Sequence, residues 1–145
     1  MNNEETAIAL VRQVFSAFNS GNITLLADSF HREACAEFPF APPGMPPIYE
    51  GHDAVMAAFA GGRASIAEIT ITPQKFYWSP GEAVMTVEAS GKGRLPRGTE
   101  YNNSYIFLVG IRDGKVSLWR EYFNSLLIVR ALEAEAAASG PTDQG

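Results

Sequence analysis

Cysteine is nearly absent from this chain, and so is any concentration of positive charge. The single Cys35 excludes an intramolecular disulfide and suits a reducing compartment. Set in an apolar, strand-like run, it reads as a buried, inert thiol rather than a nucleophile. Lysine and arginine together number 11 against 16 acidic residues, for a net charge of −5, and they form no cluster. Neither nucleic acid nor an anionic membrane is therefore expected as a partner. No apolar run approaches the length of a membrane span. The opening MNNEETAIAL has no basic stretch ahead of an apolar one, so a cytoplasmic location is expected. His31 and His52 lie far apart without carboxylates at ligand spacing, so no metal site is expected. Ser104 has no companion His–Asp pair, and Gly91-Lys92-Gly93 lacks the strand-to-helix setting of a phosphate loop.

What is present describes one domain. Apolar residues make up 46% and charged ones 19% of 145, enough to bury a substantial core. The domain is expected over 1–138, with 139–145 a disordered tail. Asn2 or Asn3 can cap a first helix whose apolar stripe is Ala7, Leu10, Val11, Val14, Phe15 and Phe18. Ser20-Gly21 ends it, and Asn22 caps a shorter helix with Ile23, Leu26 and Phe30 inward. A strand follows over about 34–40. The proline-rich stretch APPGMPP makes 41–50 a loop, ordered or lid-like. A third helix is expected from Asp53 to Ala60, stopped by Gly61-Gly62. From Ile66 the period becomes strand-like, with an interruption at Pro73 and a turn at Ser79-Pro80-Gly81-Glu82. Gly91 and Gly93 would let the next strand bend or bulge. A closing helix over 126–137 would bury Leu127, Ile128 and Leu132. Helices first and long antiparallel strands afterwards predict an α+β fold. The N-terminal helices would pack on a strongly curved, mainly antiparallel sheet and enclose a pocket, as in a cone.

The stretch YNNSYIFLVGIRDGKVSLWREYFN is the centre of that sheet: two strands joined by Asp113-Gly114, a pair suited to a type I′ turn. With Arg112 opposite Lys115, an unbroken register pairs Ile106 with Glu121. Ser104, Ile106, Leu108, Trp119, Glu121 and Phe123 then share one face. Asn103, Tyr105, Arg120 and Tyr122 share the other, a candidate dimer interface, unless a bulge reverses the parity. Both faces are apolar, so both should be covered, the outer one by a second copy of the chain. A carboxylate between Trp119 and Phe123 stands out. Desolvated there, Glu121 would have a raised pKa and could give and take protons near neutral pH. A salt-bridged, purely structural Glu121 is the alternative.

Three stretches resemble the nuclear-transport-factor-2-like superfamily, in its SnoaL-like and ketosteroid-isomerase-like branch. They are FNSGN with LLADSFHREACAEFPF, then YEGHDAVMAAF, then the central hairpin with LLIVRAL. The hairpin and GKGRLP are also similar to phenazine-biosynthesis A/B-type proteins. The resemblance implies a cone-shaped α+β fold, a homodimer packed through the outer sheet face, and no metal or organic cofactor. It further implies isomerase, cyclase or dehydratase activity on an apolar cyclic or polyketide-like small molecule. A non-catalytic ligand-binding or dimerisation module is the other role found in such folds. Where ketosteroid isomerases carry a base Asp before a proline, this chain has Phe38 before Pro39, with Glu37 one residue earlier. The position of their helix-borne Tyr falls near Val14 or Phe15, and that of the phenazine-type histidine near Ala57-Ala58. The phenazine-type acid–base glutamate falls on Glu121. The expected site is therefore Glu121 as acid–base group, with Phe38, Phe59, Trp78, Ser104, Ile106, Trp119, Phe123 and His52 as pocket residues.

Overall fold

A computed structural model describes residues 3–142. Asn3 accepts the N–H of Thr6 and opens helix α1 (Glu4–Ser20), which Gly21 ends in the left-handed region at φ 72°. Asn22 caps α2 (Ile23–Ser29) in the same way. Strand β1 (Phe30–Glu37) begins directly after it, so Phe30 enters the core from a strand rather than a helix, and the strand stops before Phe38. The proline-rich loop ends in a short strand β2 (Ile48–Glu50) paired antiparallel with β1. Helix α3 (His52–Ala64) runs through Gly61-Gly62 instead of stopping there. Arg63 supplies the reason: its guanidinium donates to the carbonyls of Phe18, Asn19 and Ile66, tying the last turn of α3 to the end of α1. Tertiary hydrogen bonds outweigh the cost of about 1 kcal/mol per helical glycine.

The remaining elements are β3 (Glu68–Ser79), β4 (Val84–Arg94), β5 (Glu100–Arg112), β6 (Lys115–Phe123) and α4 (Ser125–Thr142). The strands form one curled sheet in the order β2-β1-β6-β5-β4-β3. Pairing is antiparallel throughout except between β1 and β6. The break expected at Pro73 is a register shift between Pro73 and Lys75. At the free edge of β3, Asn19 behaves as a strand neighbour: Nδ2 donates to the Ile71 carbonyl and Oδ1 accepts its N–H, both at 2.9 Å. Helix α4 continues through 142, so the tail expected to be disordered from 139 is helical up to that point. Positions 143–145 lie outside the described residues. Leu132, expected in the core, is 51% exposed; Ala131 is the α4 residue that buries most deeply, against Leu95 and Tyr101.

Two expectations for the central strands change. Gly91 and Gly93 sit in an unbroken β4–β5 register, so they mark no bulge. They are close approaches: a Cβ on Gly93 would lie 2.6 Å from the Glu68 carbonyl oxygen. The central hairpin has the expected turn, with Asp113 and Gly114 at φ 54° and 73° and Arg112 opposite Lys115. Past Ile111–Val116, however, Gly110 pairs with Leu118, leaving Ser117 as an extra residue on β6. Gly110 makes room for that bulge, since a Cβ there would lie 3.1 Å from that of Leu118. The bulge reverses parity along β5. Tyr101, Asn103, Tyr105, Phe107 and Val109 face inward with Trp119, while Ser104 and Ile106 face out.

Candidate active site

Curling the sheet around α1 and α3 leaves a cavity of about 480 Å³. Val14, Phe15 and Phe18 of α1 form one wall, Ala58 and Phe59 of α3 another, and the inner faces of β3, β5 and β6 the floor. The loop Pro42–Met45 and the α4 side chains Ile128 and Leu132 complete the rim. The wall is almost wholly apolar, and among the described residues lining it there is no Lys, Arg or His.

Alternation along β6 sends Trp119, Glu121 and Phe123 into this space. Trp119 is fixed by four aromatic neighbours, Phe107 at 4.9 Å, Phe15 at 5.5 Å and Phe30 and Phe59 each at 6.1 Å between ring centroids. Its orientation fixes Glu121 in turn: Trp119 Nε1 donates to Glu121 Oε1 at 3.1 Å. Burial among protein atoms disfavours the charged carboxylate and pushes the Glu121 pKa up to about 7, with the indole N–H pulling weakly the other way. A carboxyl balanced between its two forms near neutrality can both accept and release a proton.

Of the residues expected in the pocket, Phe38, Phe59, Trp119 and Phe123 line it together with Glu121. Four do not. Ser104 and Ile106 are on the outer sheet face because of the Ser117 bulge. Trp78 is half-buried beside Met85, at the end of β3 away from Ile69 and Ile71, the β3 residues that reach the cavity. His52 stands at the start of α3 with Nε2 2.8 Å from the Ala27 carbonyl oxygen, where it ties α3 to α2. His31 is half-buried with Nε2 3.4 Å from Asp113 Oδ2. Cys35 is half-buried rather than buried; burial first, and then Glu37, push its thiol pKa up, which keeps it inert.

Tyr105, expected with Asn103 on the outer face, lines the cavity together with Tyr101. Asn103 Nδ2 donates to the Tyr101 hydroxyl at 2.8 Å, and the Tyr105 hydroxyl donates to it at 3.5 Å. Burial raises the pKa of both phenols, so they stay protonated. The sequence did carry a signal for them: a glycine within an otherwise apolar strand, Gly110, marks the place where a bulge is accommodated.

Against known proteins, the SnoaL-like domain family model matches residues 11–119. The chain belongs to the SnoaL-like family. An uncharacterised PhzA/B-like protein of Pseudomonas aeruginosa is 31% identical over 115 residues, 77% of this chain and 79% of that one. Among solved structures, a candidate isomerase from Bacillus subtilis superposes on this SnoaL-like domain with a TM-score of 0.83 at 26% identity, covering 92% of this chain and 96% of the other. TerC, co-crystallised with polyporic acid, has a TM-score of 0.77 at 16% identity over 88% of this chain and 98% of its own, a likeness of fold.

Proposed function

We propose that this SnoaL-like domain is an acid–base enzyme of the isomerase, cyclase or dehydratase type, acting on an apolar cyclic or polyketide-like molecule. Glu121 is the group that moves the proton. One observation carries the reading: in a cavity of about 480 Å³ with apolar walls, the one carboxyl is held by an indole N–H and has a pKa of about 7. Ionised Glu121 accepts a proton from an acidic C–H of the substrate and becomes the neutral acid. The neutral acid then delivers that proton to a second atom of the same substrate, which returns Glu121 to its starting form. The aromatic wall holds the rings in place; in D2O, exchange of the Glu121 proton with solvent while the deprotonated substrate is bound places deuterium on the substrate carbon. Similar folds include an epoxide-hydrolase-like protein of M. tuberculosis and TerC with its polyporic acid, which supports a small-molecule role for the cavity.

The test uses 2-tetralone, a bicyclic ketone with acidic C–H bonds, in D2O. Wild-type protein should speed deuterium incorporation, and Glu121→Gln should slow it by about 10²–10⁴-fold without loss of binding. NMR titration of the Glu121 carboxyl should give a midpoint near 7. A midpoint at or below the ordinary carboxylate value, with no acceleration, would return the cavity to a non-catalytic binding role.

A further inference from the structure

Two tyrosines on one strand, Tyr101 and Tyr105, bring their hydroxyls together at the cavity wall, each residue only 6% exposed. Four hydrogen bonds lock the amide of Asn103. Its Oδ1 accepts the N–H groups of Ser104 at 2.9 Å and Asn124 at 3.2 Å. Its Nδ2 donates to the Asn124 carbonyl at 3.1 Å and to the Tyr101 hydroxyl at 2.8 Å. The amide therefore always presents a donor to Tyr101. With Tyr105 donating as well, the Tyr101 oxygen accepts twice, and none of these bonds uses its own proton. If the O–H···O contact ran the other way, the Tyr105 proton would be left over instead. Two phenols sharing one contact leave one proton to donate.

The opposing strand is cut back to seat this pair. Gly91 lies under Tyr105, and a Cβ at that position would come within 2.8 Å of the ring edge and 3.4 Å of the hydroxyl. Any other residue there would displace the phenol. A locked amide, a converging hydroxyl pair and an omitted side chain make a built donor site in an otherwise apolar wall. Glu121 shares the cavity, and its charge acts on both phenols.

We propose that the Tyr101–Tyr105 pair is the donor site for an oxygen of the ligand, which makes the ligand class an apolar ring compound bearing a carbonyl group. This rests on the cavity being a small-molecule site and adds which chemistry it selects. It is independent of whether Glu121 turns the ligand over.

A matched pair of probes tests it: 9-fluorenone and fluorene, equal in shape and differing by one carbonyl oxygen. Neither serves as a substrate in the assay, so binding alone is read. Replacing both phenols, Tyr101→Phe together with Tyr105→Phe, should lower the fluorenone-to-fluorene affinity ratio about tenfold while leaving fluorene binding unchanged. In wild-type protein the ratio should be the same at pH 5 and pH 9, because the phenols keep their protons across that range while Glu121 loses its own near 7. Carbonyl-¹³C fluorenone bound at pH 9 should show the downfield shift of a hydrogen-bonded ketone. That reading needs no variant and decides the matter if the double variant fails to fold. A ratio unmoved by the double variant overturns the proposal. So does a ratio that collapses above pH 7, which would make neutral Glu121 the donor, and so does failure of fluorenone to bind. Loss of deuterium exchange in Glu121→Gln bears on the catalytic reading alone.

Discussion

Glu37 and Glu121 lie on neighbouring strands of one sheet, and their surroundings are opposite. Glu37, at the end of β1, pairs in register with Arg120 on the outer face, Nε to Oε1 2.7 Å, with each side chain about a third exposed at 28% and 33%. Glu121 is the next residue after Arg120 and therefore points through the sheet into the cavity, where its protein partner is the Trp119 N–H. The first carboxylate has a cation and water beside it; the second faces an apolar cavity with no cation among the described residues that line it. An outer pair of this kind contributes at most about 1 kcal/mol. The inner carboxyl opposes folding whenever it is ionised.

The largest difference between the two should appear in catalysis. Glu121→Gln is expected to reduce deuterium exchange into 2-tetralone by about 10²–10⁴-fold, whereas Glu37→Gln should change it less than about twofold. Equal losses would mean that the two faces do not differ in chemistry.

The same contrast should hold for packing. Phe107 is fully buried and Leu108, one residue on, is half-buried on the outer face. Phe107→Ala should cost about 3–5 kcal/mol and Leu108→Ala about 1 kcal/mol in denaturant unfolding. The reverse order would restore the unbroken register.

A smaller effect should appear in the dependence of stability on pH. Between about 4.5 and 7 folded Glu121 holds a proton that the unfolded chain releases. Stability therefore falls as pH rises through that window and levels off above it, by about 3 kcal/mol at most. Melting curves of Glu121→Gln should lack this decline, while those of Glu37→Gln should keep it.

The least effect on folding is expected at Ile106, which is 38% exposed on the outer face. We propose that this face packs against a second copy of the chain. Ile106→Asp should change stability of the fold by less than about 0.5 kcal/mol yet shift sedimentation from dimer to monomer. A wild-type protein that sediments as a monomer at micromolar concentration would dismiss the dimer.

The helices, the long antiparallel strands and the turn at Asp113-Gly114 were legible because each rests on local chemistry: a capping Asn, an apolar stripe, two residues able to reach positive φ. Glu121 was legible too, since its neighbours Trp119 and Phe123 lie on its own strand and share its parity whatever the partner strand does. Ser104 and Ile106 were misplaced, and Tyr101 and Tyr105 missed, because their face depends on register with another strand. One extra residue at Ser117 inverts all of them together. The end of α3 was hidden for a related reason. Gly61-Gly62 would stop an isolated helix, but Arg63 finds the Phe18 and Asn19 carbonyls more than forty residues away.

The Asn19 side chain on the edge of β3 has a bearing on solubility. A twelve-residue strand at the border of a sheet is a template on which strands from other molecules can assemble. Here the outward N–H and C=O of Ile71 are already taken by Asn19. Two residues on, Pro73 has no N–H to offer, and the register shift before Lys75 turns the strand out of plane. The amide at the end of the first helix thus serves as a stopper against intermolecular β-assembly. Asn19→Leu should leave the cavity intact but yield a protein that aggregates sooner at high concentration.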